Sequence, residues 1–303
     1  MRQVVKIGTT VAAALVALSA PALAYVGSNA SGQPMIAQSV PAFLQDIVPL
    51  EVIGLTDDQR LVRFNTIVPG LPLNGPRVSG LQGDATVIGI DYRVQNNLLY
   101  GVGNAGGIYT LNPGNGNATK VSQLSVPLAG TSFGVDFNPA ANRLRVISDT
   151  GQNLRHNIDD PSGMPVAGTT AVDAALTTPP TAGPTTGVTA AGYTNNDLAA
   201  TTGTTLFDVS TANDTLVVQS PANAGTLAMT GQLTVNAAAN AGFDVYSTLR
   251  NGTTVGNRAL ATLQVNGSYA LYEVNLLTGE AISRGAFGFG NSVVDIAIPL
   301  NQS

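Results

Sequence analysis

The chain has no cysteine and no tryptophan, and only one histidine and two lysines. Each shortage excludes chemistry. Without Cys there is no disulfide framework, no thiolate nucleophile and no iron–sulfur or zinc–thiolate centre. With His156 as the only histidine, a histidine-built metal site is impossible and any Ser-His-Asp triad must use that residue. No G-x-S-x-G elbow accompanies it. Without Trp, a stacking platform for sugars falls to tyrosines such as Tyr92, Tyr100, Tyr109, Tyr246 and Tyr272. A phosphate-binding loop is also missing, because GNAGG at 103–107 sits in a hairpin pattern with no Lys behind it.

Long apolar runs are scarce too. The one near the N-terminus, VAAALVALS at 11–19, is too short to span a bilayer. It follows Arg2 and Lys6 and precedes the A-x-A triplet Ala22-Leu23-Ala24. That pattern predicts a secretory signal peptide over 1–24, with a product exported to the periplasm or the medium. No Cys follows the cleavage point, so a lipoprotein anchor is excluded, and no membrane span is expected. Residues 25–49 read as a polar leader with a helical turn at 41–48. Removing Arg2 and Lys6 leaves 11 basic residues against 18 acidic ones. Such a chain is not expected to bind nucleic acid.

What the sequence does have is a repeated phrase. It reads VIGIDYR at 87–93, SFGVDFN at 132–138, NAGFDVY at 240–246 and SVVDIAI at 292–298. Asp91 to Asp136 is 45 residues, Asp244 to Asp295 is 51, and Asp136 to Asp244 is 108, or two units of 54. Period-2 strands follow each phrase: NLLYGVG, GIYTLN and ATKVSQL in one unit, NRLRVISD, LRHNID and TAVDAALT in the next. A weaker unit gives GVTAAGYT (187–194), DLAATT (197–202), TTLFDVS (204–210) and DTLVVQS (214–220). The last gives RALATLQV, SYALYEVN and EAISRGAF. Four short strands per period of this length predict an all-β β-propeller.

The last phrase starts no unit of its own, whereas EVIGLT (51–56), LVRFNT (61–66) and part of 77–82 lack an opening strand. The expectation is therefore five four-stranded blades over 50–300, closed by pairing of the N- and C-terminal strands. A four-blade ring with a separate N-terminal piece, or six blades, stays open. TPPTAGPTTG at 178–187 reads as a surface connection between blades.

The run GVDFNPAANRLRVISDTGQNLRHN (134–157) resembles the domain of unknown function 4394 family. GIDYRVQNNLLYGVGNAGGIYTLNPGNGNAT (89–119) and IGLTDDQRLVRFN (53–65) are similar to it as well. The resemblance covers roughly 50–300. It implies a bacterial exported protein of propeller-like fold and carries no assigned activity.

Two clusters hold candidate chemistry. Asp91, Asp136, Asp244 and Asp295 share one position on four inner strands and would converge on the central channel. Oxygen-only ligands there would suit Ca²⁺. The competing reading has each Asp accepting backbone N–H bonds and locking blade to blade, since packing must be solved in every blade. The third unit offers Ala190, Ala191 and Gly192 instead, so the ring is incomplete. The second cluster is Arg143, Arg145, Asp149 and Arg155, beside His156, Asp159 and Asp160. Its guanidiniums suit an anionic ligand or internal salt bridges, and Asp149 is placed to pair with either Arg across the strands. His156 reads as a half-exposed strand residue. The acidic pairs Asp57/Asp58 and Asp159/Asp160 point to opposite faces of a strand, or lie in turns, and do not form a glycosidase pair by themselves. The expected function is a non-enzymatic binding or scaffold module for a protein or glycan ligand. The alternatives are a Ca²⁺-dependent hydrolase or lactonase-like propeller, and a purely structural envelope or matrix protein.

Overall fold

The computed structural model describes residues 48–71, 74–288 and 291–302. The signal peptide, most of the leader and the helical turn expected at 41–48 lie outside them. Five antiparallel sheets form a five-bladed β-propeller with almost no helix. Four of the sheets follow the repeat, each running from an inner to an outer strand. They are β3 (Val87–Arg93) with β4 (Leu98–Gly103), β5 (Gly107–Leu111) and β6 (Ala118–Gln123), then β7 (Phe133–Asn138) with β8 (Arg143–Ser148), β9 (Asn153–Asn157) and β10 (Thr169–Val172). The next are β11 (Val188–Tyr193) with β12 (Leu206–Ser210), β13 (Thr215–Gln219) and β14 (Leu227–Gln232), then β15 (Ala241–Arg250) with β16 (Thr253–Val265), β17 (Ser268–Val274) and β18 (Ala281–Ala286).

The fifth sheet is composite. Its inner strand β19 (Val293–Ala297) pairs antiparallel with β1 (Glu51–Thr56), which pairs with β2 (Leu61–Asn65). A full fourth strand does not form there. A short segment covers the edge instead: Leu61 N–H donates to Pro76 O, Val78 N–H donates to Gln59 O, and Arg60 bridges Arg77. Pro76 has no N–H to extend the ladder.

Buried apolar side chains form five separate cores, one between each pair of neighbouring blades. Leu55 and Ile90 belong to the first, Tyr100 and Phe137 to the next, then Ile147 with Tyr193, Phe207 with Phe243, and Leu260 with Ile296. The last joins the final blade to the composite one, so the ring is closed. A sheet packed on a sheet on both sides needs apolar residues on both faces, and β8 and β11 are buried along their whole length. Asn97 (φ 55°) and Asn142 (φ 54°) turn the chain from the inner to the second strand in two successive blades. Asn tolerates this left-handed conformation better than most residues.

The third unit differs from the sequence reading. DLAATT at 197–202 forms no strand, because Asp197 accepts N–H bonds from Ala199 and Thr254 and holds a turn. The outer strand is β14, beyond a 3₁₀ turn at Ala222–Ala224. Gly231 interrupts its alternation, which hid it from the period-2 pattern.

Candidate functional site

The four repeated aspartates lie on inner strands and are all buried. Each reaches the backbone of the following blade. Asp295 accepts the Ile90 N–H at 2.7 Å, Asp91 that of Phe137 at 2.7 Å, Asp136 that of Tyr193 at 3.1 Å and Asp244 that of Ile298 at 2.6 Å. Four of the five blade junctions therefore carry the same clamp. The missing one is explained by Gly192, which faces Phe207 across the ladder as Asp91 faces Tyr100 and Asp136 faces Arg145. A side chain there would meet the Phe243 ring at 2.7 Å. An aromatic ring fills the space a carboxylate would need.

The clamps also converge. One oxygen from each of Asp91, Asp136 and Asp244 lies within 4.8 Å of the others. Burial, with the neighbouring carboxylates, pushes Asp91 and Asp136 well above the usual carboxylate range. Burial raises Asp295 likewise and pushes Asp244 up to about 6. Raised carboxyls hold their proton in the fold. Their stabilisation is complete below the unfolded value of about 4 and is lost as pH rises through the folded values. His156 acts in the opposite sense. Burial pushes it down to about 4, so its stabilisation is present above about 6.5 and lost as pH falls toward about 4. In chelator, the melting temperature is expected to be higher at about pH 6.5 than at about pH 8.5, by on the order of 5 °C. Thermal unfolding followed by circular dichroism measures it, and a flat profile over that interval would show that Asp91 and Asp136 are not held protonated there.

The second cluster disperses. Arg143 pairs with Asp160 at 2.8 Å. Arg145, which is 2% exposed, bonds Asp173 at 2.6 Å, Asn153 at 2.7 Å, Asn223 at 2.8 Å and Tyr193 at 3.3 Å. Arg155 shares Asp173 with it at 3.1 Å. Asp149 meets neither Arg. It accepts the N–H and hydroxyl of Thr131 at 2.9 and 2.6 Å, because the β8–β9 turn directs it toward the loop before β7. His156 is fully buried rather than half-exposed. Its ring nitrogens bond Ser122 at 2.8 Å and Thr170 at 2.9 Å, hydroxyls on the outer strands β6 and β10. Two flanking outer strands close over a position that a strand pattern reads as edge-exposed.

Sequence reasoning missed Asp173, the partner of both Arg145 and Arg155, and Asp208. Asp208 is fully buried on β12, and neither of its carboxyl oxygens has a hydrogen-bond partner. Burial pushes it well above the usual range, opposed by Arg145. The only signal was an acidic residue in the otherwise apolar LFDVS.

Among the described residues, no helix is long and apolar enough to cross a membrane. No curated protein matches the chain. Two of the solved structures that resemble it do so slightly. One is a Bacteroides uniformis ATCC 8492 protein named "putative 6-phosphogluconolactonase", at 11% identity and a TM-score of 0.36, covering 82% of this chain and 99% of that one. The other is dihydro-heme d1 dehydrogenase NirN, at 13% identity and a TM-score of 0.32, covering 79% of this chain and 55% of that one. At these scores neither likeness bears on activity. A family profile, described as Domain of unknown function (DUF4394), matches residues 60–297. With most of the propeller inside that match, the chain belongs to the DUF4394 family.

Proposed function

We propose that this protein is an exported, non-catalytic β-propeller that serves as a binding or scaffold module for a protein or a cell-surface glycan. Export rests on the signal-peptide pattern at 1–24. The binding reading rests on one observation: the conspicuous polar side chains are engaged by the framework. The axial carboxylates hold backbone amides of the next blade. Arg143, Arg145 and Arg155 hold internal acids, and His156 lies buried between two hydroxyls. A general base or nucleophile must reach a substrate, and these groups face the interior. The loop faces of a rigid ring are left to meet a partner. Purified mature protein is expected to show no turnover on a panel of lactones, glycosides and esters, and to capture a surface component of its own cells. Turnover abolished by His156→Asn or Asp91→Asn would overturn this reading.

A second reading has its own observation. Ca²⁺ holds its ligand oxygens at about 2.3–2.6 Å, so any two of them lie within about 5 Å, and the Asp91–Asp136–Asp244 oxygens fall within 4.8 Å of one another. A cation there would relieve the repulsion that raises these carboxyls. On this reading Ca²⁺ raises the melting temperature near pH 8.5 and flattens the pH profile, and metal analysis finds about one ion per chain. Unchanged melting with Ca²⁺ and with chelator removes it.

A further inference from the structure

Asp149, one of the residues that the sequence marks for ligand binding, lines an open cavity. The depression holds about 350 Å³ and is bordered by Asp149, Thr186, Thr189, Thr211, Ala212 and Ala239. It lies where three blades meet: Asp149 follows β8, Thr186 leads into β11, Thr211 follows β12, and Ala239 leads into β15. Short backbone links hold it open. Gly187 N–H donates to Asp149 O at 2.7 Å, and Ala212 N–H donates to Gly187 O at 3.3 Å. Gly187 sits at φ +74°, and a side chain there would meet Ala212 at 2.3 Å. The wall is therefore fixed in place by a position that suits only glycine.

The chemistry of the lining is specific. Hydrogen bonds from Thr131 and the backbone hold the Asp149 carboxyl below the usual range, against a partial burial that opposes them. It is an ionised acceptor with lone pairs beyond the two that Thr131 uses. The buried Thr189 and Thr211 hydroxyls bond one another at 3.3 Å and Thr211 also reaches Gly187 O, so Thr186 is the hydroxyl left to donate and accept toward a ligand. No basic side chain and no aromatic ring lines the cavity. An anion finds no counter-charge here, and Ala212, Ala239 and the threonine methyls give the carboxylate an apolar wall beside it. A neutral molecule with adjacent hydroxyls and an apolar C–H face satisfies the lining: O–H donors to the carboxylate, an oxygen for Thr186, and C–H groups against the alanine and methyl wall. The volume lies at the lower end of ligand sites and suits one sugar ring.

We infer that this cavity is a binding site for a neutral sugar residue, the end of a glycan chain. The inference rests on the binding-module reading above and names the ligand class. The full mature protein is titrated with glucose, galactose, mannose and N-acetylglucosamine, with glucuronate and glucosamine as charged controls, and chemical shifts are followed by NMR. At least one neutral sugar is expected to bind with a Kd on the order of millimolar, more tightly than glucuronate. Ala239→Trp, which fills an exposed part of the wall, is expected to abolish binding with an unchanged melting temperature. Asp149→Asn is expected to weaken it about tenfold or more. Absence of binding by all four sugars, tighter binding of either charged control, or binding indifferent to both substitutions overturns the site and leaves the non-catalytic reading standing. Binding followed by chemical turnover of the sugar would instead retain the site and overturn the non-catalytic reading.

Discussion

A chain ending at Asn291 is expected not to fold. The deletion removes β19, the inner strand of the composite blade, and with it the buried Val293, Ile296, Ala297 and Ile298. Burial of the three larger side chains alone stabilises by roughly 5–8 kcal/mol, comparable to the whole stability of an ordinary domain. Two of the four blade clamps go as well, since Asp295 holds Ile90 and Ile298 holds Asp244. The tail beyond the strand is also tied down. Gln302 bonds both the N–H and the carbonyl of Glu51, and its own carbonyl accepts the Tyr246 hydroxyl. Circular dichroism melting and size-exclusion chromatography read the outcome. The expected result is loss of the cooperative transition and association through the open edge of β1. A monomer that melts within a few degrees of the full chain would mean the termini do not close the ring.

Asp173→Ala is expected to destabilise by about 3–5 kcal/mol, because it leaves Arg145 buried without its counter-charge. Arg145 reaches from β8 to Tyr193 on β11 and to Asn223 in the 3₁₀ turn. The loss should therefore loosen the junction between the β7–β10 and β11–β14 blades. Asp208 on β12 also feels the Arg145 charge, which favours its ionised form against the burial that opposes it. The double variant Arg145→Met with Asp173→Leu is expected to recover much of the loss, since an apolar pair of similar volume removes both desolvation penalties. Denaturant unfolding of the two variants measures the loss and its recovery. A loss under about 1 kcal/mol in Asp173→Ala would place Arg145 in contact with water.

Much of the architecture was legible. A repeated strand phrase whose last copy starts no unit, with N-terminal strands that lack an opening copy, implies a ring, and the pairing of β19 with β1 follows that implication. The same phrase carried the clamp: an Asp recurring once per blade solves a packing problem common to all blades, and four junctions use it that way. The failures have local causes. DLAATT looked like a strand because alternation does not register the side-chain bonds that fold Asp197 into a turn. His156 looked half-exposed because a strand pattern does not show that Ser122 and Thr170, from two other strands, cover it.

The sequence by itself determined the recurring inner strands, the pairing of the two ends and the missing Asp of the third unit, since each is written in residues that recur at a fixed period. The tertiary structure alone decided which charges meet. Asp149 and Thr131, Arg145 and Asn223, and the oxygens of Asp91, Asp136 and Asp244 come from separate strands or separate blades. Their contacts depend on how neighbouring sheets stack about the axis, a geometry that no local period encodes.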